Sequence, residues 1–146
     1  MIRYLTIYDI LDIHSDIMAA SEELDQAGVL FEDRILFAVE RPQMISFGEE
    51  SYPTLWMKVA SLVQSVAHGH PFHNGNKRTA LSCLHVFLLV NGYNFTLSNQ
   101  EAEDFTVDIV TNDIYKGSDG VANIANAIEQ HSVKINDMNE FMRGLE

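Results

Sequence analysis

Apolar residues recur at helical intervals through most of the chain. Between Ile7 and about Ala27 they fall at Ile10, Ile13, Ile17, Met18 and Leu24, with Thr6 placed to cap the start and Gly28 just past the end. A shorter helix is predicted from about Phe31 to Glu40, stopped by Pro42, because the residue before a proline is driven out of helical backbone. The stretch RPQMISFGEESYP shows no helical period; Pro42, Gly48 and Pro53 punctuate it, and an extended loop or small hairpin is expected. Pro53 suits the first turn of a helix, where its missing N–H costs nothing, and Leu55, Val59, Leu62, Val63 and Val66 mark one face as far as Gly69. Lys77 to Val90 is apolar on nearly every side and is stopped by Asn91 and Gly92, which predicts a central helix with neighbours around most of its perimeter. Ser98 and Glu101 form a capping-box pattern ahead of Ala102, Phe105, Ile109 and Val110. After a turn at Lys116 to Gly120, Val121, Ile124, Ala125 and Ile128 continue the helical spacing. From Ser132 onward the spacing weakens, and a short or frayed helix is expected. With no repeat, no low-complexity tract and no series of strands, the expected fold class is all-α.

The 146 residues fit one domain, 1–146, able to remove roughly 70% of its unfolded surface from water. Hydrophobic residues at 47% and charged residues at 21% are the balance of a globular chain, not of a disordered one. With 21 acidic against 9 basic residues the formal charge is −12, which repels phosphate backbones and anionic membranes; non-specific nucleic-acid binding is excluded and a basic partner favoured. Cys83 is the only cysteine, fits a reducing compartment and sits in an apolar run as an inert thiol. Asp9, Asp12, His14 and Asp16 interrupt the N-terminal segment where a signal peptide needs an apolar run, and no stretch approaches the ~18 apolar residues of a membrane span. A complete, cytoplasmic chain is expected.

Against that acidic background, HPFHNGNKRT sets Lys77 and Arg78 side by side at the start of the predicted central helix. Asn74, Gly75 and Asn76 tolerate tight-turn backbone, so the connection is sharp. A helix N-terminus offers unpaired N–H groups and the positive end of the dipole. Two cations there oppose the dipole by about 0.3–1 kcal/mol, and a bound anion such as a polyphosphate is the economical compensation. The segment is neither a Walker A loop nor a dinucleotide fingerprint. His70, at the preceding helix end, is placed to take a proton from an attacking hydroxyl. Taken alone, Lys77 and Arg78 read equally well as a solvated helix start; His70, Asn76 and the turn glycine tip the balance toward phosphate.

HPFHNGNKR resembles the Fic/Doc signature H-x-F-x-(D/E/N)-(G/A)-N-(G/K)-R, and more closely its death-on-curing branch. The likeness extends through LFEDRILFAVERPQ, FGEESYPTLWMKVASL and TALSCLHVFLLVNGY, from about Tyr4 to Phe95. The resemblance implies a helical fold with the motif loop between two central helices and a nucleotide at the second helix's N-terminus. It implies His70 as general base, Phe72 as loop anchor, and Gly75, Asn76, Lys77 and Arg78 as phosphate contacts. Lys77 stands where AMP-transferring members carry glycine. In the death-on-curing branch that lysine accompanies transfer of the terminal phosphate of ATP, with Mg2+, to elongation factor Tu. The implied function is therefore a toxin that phosphorylates a Ser or Thr hydroxyl. AMP transfer is the alternative, and a nucleotide- or protein-binding module of weakened catalysis is another. Asn74 motivates the latter, because it replaces the acidic residue that helps hold magnesium, and an amide is a weaker ligand for a hard cation. Ser46 to Glu50 approaches the family's inhibitory pattern, but Ser51 breaks it; no built-in inhibitor is expected, and a separate antitoxin would restrain the toxin by folding onto it. A flap near Met44 to Pro53 would dock the target chain, with Phe47 and Tyr52 as contacts.

His68, His70 and His73 are spaced closely enough to raise a zinc site, but without H-E-x-x-H, a second cysteine or an acidic ligand in the motif, zinc is the weaker reading. His85 is expected as a hydrogen-bonded core residue; His14 and His131 carry no motif support.

Overall fold

The computed structural model describes residues 1–145, and in it helices dominate. They are α1 (Ile7–Ala20), α2 (Glu32–Glu40), α3 (Leu55–Gly69), α4 (Asn76–Val90), α5 (Asn99–Thr111), α6 (Gly117–Gln130) and α7 (Met138–Gly144). Two caps follow the sequence pattern closely. Thr6 accepts from the Asp9 N–H while Asp9 accepts from the Thr6 N–H, and Ser98 and Glu101 repeat this reciprocal pairing at α5. Such a cap stabilises a helix by ~1 kcal/mol.

The first helix stops at Ala20, earlier than the Ala27 that the apolar spacing suggests, because Glu22 turns the chain with φ +57; Leu24–Gln26 forms a separate 3₁₀ turn. Pro53 lies just outside α3, which Thr54 caps by accepting from the Met57 N–H. Glycine marks the start of α6 rather than a preceding turn. Gly117, at φ +68, opens the helix, and a Cβ on Gly120 would collide with the Tyr115 carbonyl group.

The most buried helix is α3, not α4. Every residue from Lys58 to Ala67 is buried, and α3 packs against α2, α4, α5 and α6. In α4 burial is confined to Thr79, Ala80, Cys83, Leu84, Phe87 and Leu88, because its remaining face lines a cavity or reaches solvent. The polar residues of α3 are satisfied internally. Arg41 donates from Nη1 to the Ser61 carbonyl, Gln64 Oε1 (2.8 Å) and Ser65 Oγ, and Gln64 Nε2 donates to the Tyr115 and Gly117 carbonyls. Buried polar groups are tolerated only when paired in this way. One apolar cluster, from Leu5 through Ile128, draws on α1 to α6.

Two small antiparallel pairs complete the fold. Strands β1 (Ile45–Ser46) and β2 (Glu49–Glu50) form the hairpin alternative for the punctuated segment, with Phe47 and Gly48 at its tip. Strands β3 (Tyr93–Phe95) and β4 (Ser132–Lys134) pair in the register Asn94↔Val133, a strand the sequence does not predict, and the short helix expected beyond Ser132 follows as α7. Among the described residues no helix is long and apolar enough to cross a membrane.

Candidate active site

The loop from His70 to Gly75 joins α3 to α4 and is held from three sides. Gly28 to Phe31 runs antiparallel to it: the Leu30 and Phe31 N–H groups donate to the Pro71 carbonyl, His73 N–H donates to the Gly28 carbonyl, and Val29 bridges Phe72. Asn76 closes the loop from within, its Oδ1 accepting from the Phe72 N–H and its Nδ2 donating to the Phe72 carbonyl, both at 2.9 Å. Beneath the loop, Phe72 is buried and stacks on His14, with ring centroids 3.7 Å apart.

His70 ends α3 in left-handed backbone, φ +45, which is unusual for a residue with a side chain. Arg34 Nη1 donates to the adjacent Gly69 carbonyl at 2.6 Å, fixing the helix end from which His70 projects. The His70 side chain is exposed and lines a cavity of about 520 Å³. That cavity also takes in His73, Lys77, Arg78 and, on α5, Asn99, Glu103 and Thr106. Its volume suits a nucleotide-sized ligand.

Gly75 caps α4 with no side-chain bond, at φ +78, so the first N–H groups of the helix lack an internal acceptor. Lys77 is exposed at the same end, and it forms no ion pair among the described residues. Arg78 Nη1 donates to Glu23 Oε1 at 2.9 Å and to Ser21 Oγ at 3.2 Å. These groups meet in one place, as the sequence reading expects, with one difference for Asn76. Its amide is spent on the Phe72 backbone, which leaves its main-chain N–H as the group available to an anion.

Asn74 is equally engaged. Nδ2 donates to Glu23 Oε2 (2.9 Å) and Gln26 Oε1 (2.8 Å), and Oδ1 accepts from the Gly75 N–H (2.8 Å). No group of three or more His, Cys, Asp or Glu residues suited to a metal occurs among the described residues. These residues therefore form no all-protein metal cage, and the Asn74 amide oxygen is already taken by the Gly75 N–H. The three histidines near the loop are separated in role. His68 Nε2 donates to the Ile109 carbonyl at 2.7 Å, which fixes its tautomer and ties α3 to α5, while His70 and His73 face the cavity. His85 lines the cavity too; it meets Phe95 edge-on, and burial holds its imidazole below the ordinary 6.5.

Of the two expected docking residues, Phe47 stands fully exposed at the hairpin tip with φ +53. Tyr52 is half-buried, and its hydroxyl accepts from Arg41 Nε at 2.9 Å, so it packs the base of the hairpin. Sequence reasoning passes over three residues that the site uses. His14 could have been found, because it lies one turn from both Ile10 and Met18 and so shares their face. Its Nδ1 bonds Thr79 Oγ1 at 3.1 Å, and its buried Nε2 has no partner among the described residues. Burial, and then the Arg78 guanidinium, holds it below the ordinary 6.5. Glu23 and Arg34 reach the loop from distant segments, and no local pattern marks them.

A sequence profile of the Fic/DOC family matches residues 4–88. Over 71 residues the chain is 46% identical to a protein named Toxin Doc from Mycolicibacterium smegmatis, a stretch that makes up 49% of this chain and 50% of that relative. The chain thus spans about half the length of the curated relative it matches.

Proposed function

The chain belongs to the Fic/DOC family, in its death-on-curing branch, and from that premise we propose that it is a toxin-type transferase that phosphorylates a Ser or Thr hydroxyl of a protein with ATP. The observation that carries this reading is the meeting, in one cavity, of an exposed His70 with the uncapped N-terminus of α4, Lys77 and Arg78. The phosphates of ATP bind at the α4 N-terminus, where main-chain N–H groups and two cations offset their charge. His70 takes the proton of the target hydroxyl; the oxygen attacks the terminal phosphorus, its bond to the bridging oxygen breaks, and ADP leaves with the electron pair. Lys77, at the position that is glycine in AMP-transferring relatives, supports transfer of the terminal phosphate. Magnesium comes with the nucleotide, since the residues of the loop do not form a cage for it.

The β1–β2 hairpin, with Phe47 at its tip, docks the target chain. Elongation factor Tu is the first target to test, in the cytoplasm where translation occurs. A separate antitoxin restrains the toxin. The surface it covers includes the exposed apolar residues Leu36, Phe37, Met44 and Ile45, and the net charge of −12 favours a basic segment.

Asn74 favours a second reading, a binding module of weakened catalysis, because its amide is spent on Glu23, Gln26 and Gly75. Labelled ATP separates the readings. Label from the terminal phosphate on elongation factor Tu, absent with His70→Ala, is the expected result. Label from the α-phosphate would mean AMP transfer, and nucleotide binding without any label on the protein would favour the binding module.

A further inference from the structure

We propose that Glu23, which lies far from the motif in sequence, is a positioning residue of the anion site: it carries the carboxylate of this loop, and Asn74 is the neutral partner matched to it. The affinity part of this proposal rests on the nucleotide reading above; the pairing itself does not.

The geometry comes from the end of α1. Glu22, at φ +57, turns the chain, the Glu23 N–H donates to the Met18 carbonyl at 2.8 Å, and the Glu23 side chain meets the motif loop. Its two oxygens then serve the two sides of Gly75. Oε1 accepts from Arg78 Nη1 and Oε2 from Asn74 Nδ2, each at 2.9 Å. The Arg78 guanidinium lies close over the turn, and a Cβ at Gly75 would stand 3.6 Å from its Nη2. Glu23 and Ser21 engage only Nη1, so the remaining N–H groups of Arg78 are left for a ligand in the cavity it lines. Both Arg78 and Glu23 are partly exposed, with side-chain exposures of 44% and 27%. An ion pair of that kind contributes little to stability, so orientation of Arg78 is the effect to expect.

Asn74 fits Glu23 by hydrogen-bond type. An amide can donate twice and accept once here, and all three bonds are made. A carboxylate at position 74 could keep only the bond from the Gly75 N–H, and it would face the Glu23 carboxylate at hydrogen-bond distance. Like charges so placed repel. The two positions therefore hold one negative charge between them, and in this chain Glu23 carries it.

The test is a thermal and binding comparison of four full-length proteins: the unaltered chain, Glu23→Gln, Asn74→Asp and the double variant. Asn74→Asp alone is expected to lower Tm by about 2–4 °C. Glu23→Gln alone shifts Tm by no more than about 3 °C but weakens Mg2+-ATP binding about fivefold or more, because Arg78 loses its charged anchor. Combined, the two substitutions exchange donor and acceptor across the contact, so the double variant is more stable than Asn74→Asp. Tm changes that simply add, or unchanged Mg2+-ATP affinity in Glu23→Gln, would overturn the proposal. If the unaltered chain binds no nucleotide, the functional reading fails instead, and additivity of the Tm changes still decides whether Glu23 and Asn74 are paired.

Discussion

The imidazole of His14 lies flat against the ring of Phe72, with planes 10° apart, while its Nδ1 bonds the hydroxyl of Thr79 on α4. One side chain of α1 thus supports both the floor of the motif loop and the first turns of the helix that follows it. The contact makes the loop a packed element and keeps the turn at Gly75 against α1.

Acid should loosen this support. His14 and His85 are both held below the ordinary 6.5 by burial, so the unfolded chain takes up protons that the folded chain refuses. Stability is therefore full above the unfolded pKa and is lost as pH falls through about 6.5 toward the folded values. Thermal unfolding between pH 7.5 and 5.5 should show Tm falling with acidity. Replacing His14 by Gln should flatten that slope, and replacing His85 by Gln should flatten it separately.

Removing the proposed base, His70, should cost activity and little else. The His70 side chain is exposed, so His70→Ala should change stability by no more than about 0.5 kcal/mol, while target modification falls by about 10²-fold or more. Circular dichroism and the transfer assay on the same sample check both parts.

Gly75 cannot easily be replaced. Its φ is +78, and an added Cβ would stand 2.9 Å from the buried Met18 Sδ and 3.5 Å from His14 Cε1. Gly75→Ala should destabilise the fold by about 1–2 kcal/mol and weaken nucleotide binding, which denaturant titration and a binding isotherm would show. A loss smaller than ~0.5 kcal/mol would mean that the turn is looser than this geometry requires.

The hairpin is tethered to the core by one buried cation. Lys58 Nζ donates to the Pro42 carbonyl at 3.3 Å and to Glu50 Oε1 at 3.0 Å. Removing the acid leaves the ammonium buried with one acceptor, whereas replacing the lysine by an apolar side chain leaves no unpaired charge. Glu50→Ala should therefore destabilise more than Lys58→Met, and both should speed amide hydrogen exchange at Ile45 to Glu50. Equal stability of the two variants would argue against a buried tether.

Much of this fold is local and so was legible. Thr6 and Ser98 announce their helices through side chains that reach only three residues ahead, and Asn74–Gly75 announces the sharp turn. What escaped depends on distance. Leu24 continues the apolar period of α1, but the chain leaves the helix at Glu22. The burial of Lys58, Ser61, Gln64 and Ser65 rests on partners from other segments, Arg41 for Ser61, Gln64 and Ser65, Tyr115 for Gln64, and Pro42 and Glu50 for Lys58. The β3–β4 pair joins residues far apart in the chain, and short strands carry little periodic signal. In the candidate site, the loop residues that line the cavity come from one contiguous motif and so were legible. Their support was not, because Glu23, His14 and Arg34 reach the loop only after folding.

The most direct test of the central claim is the intact mass of elongation factor Tu after incubation with this protein, ATP and Mg2+, with His70→Ala in parallel. A gain of one phosphate, about 80 Da by its covalent chemistry, that is lost with His70→Ala is the predicted result. A gain the size of AMP, or a phosphate gain that persists in His70→Ala, would contradict it.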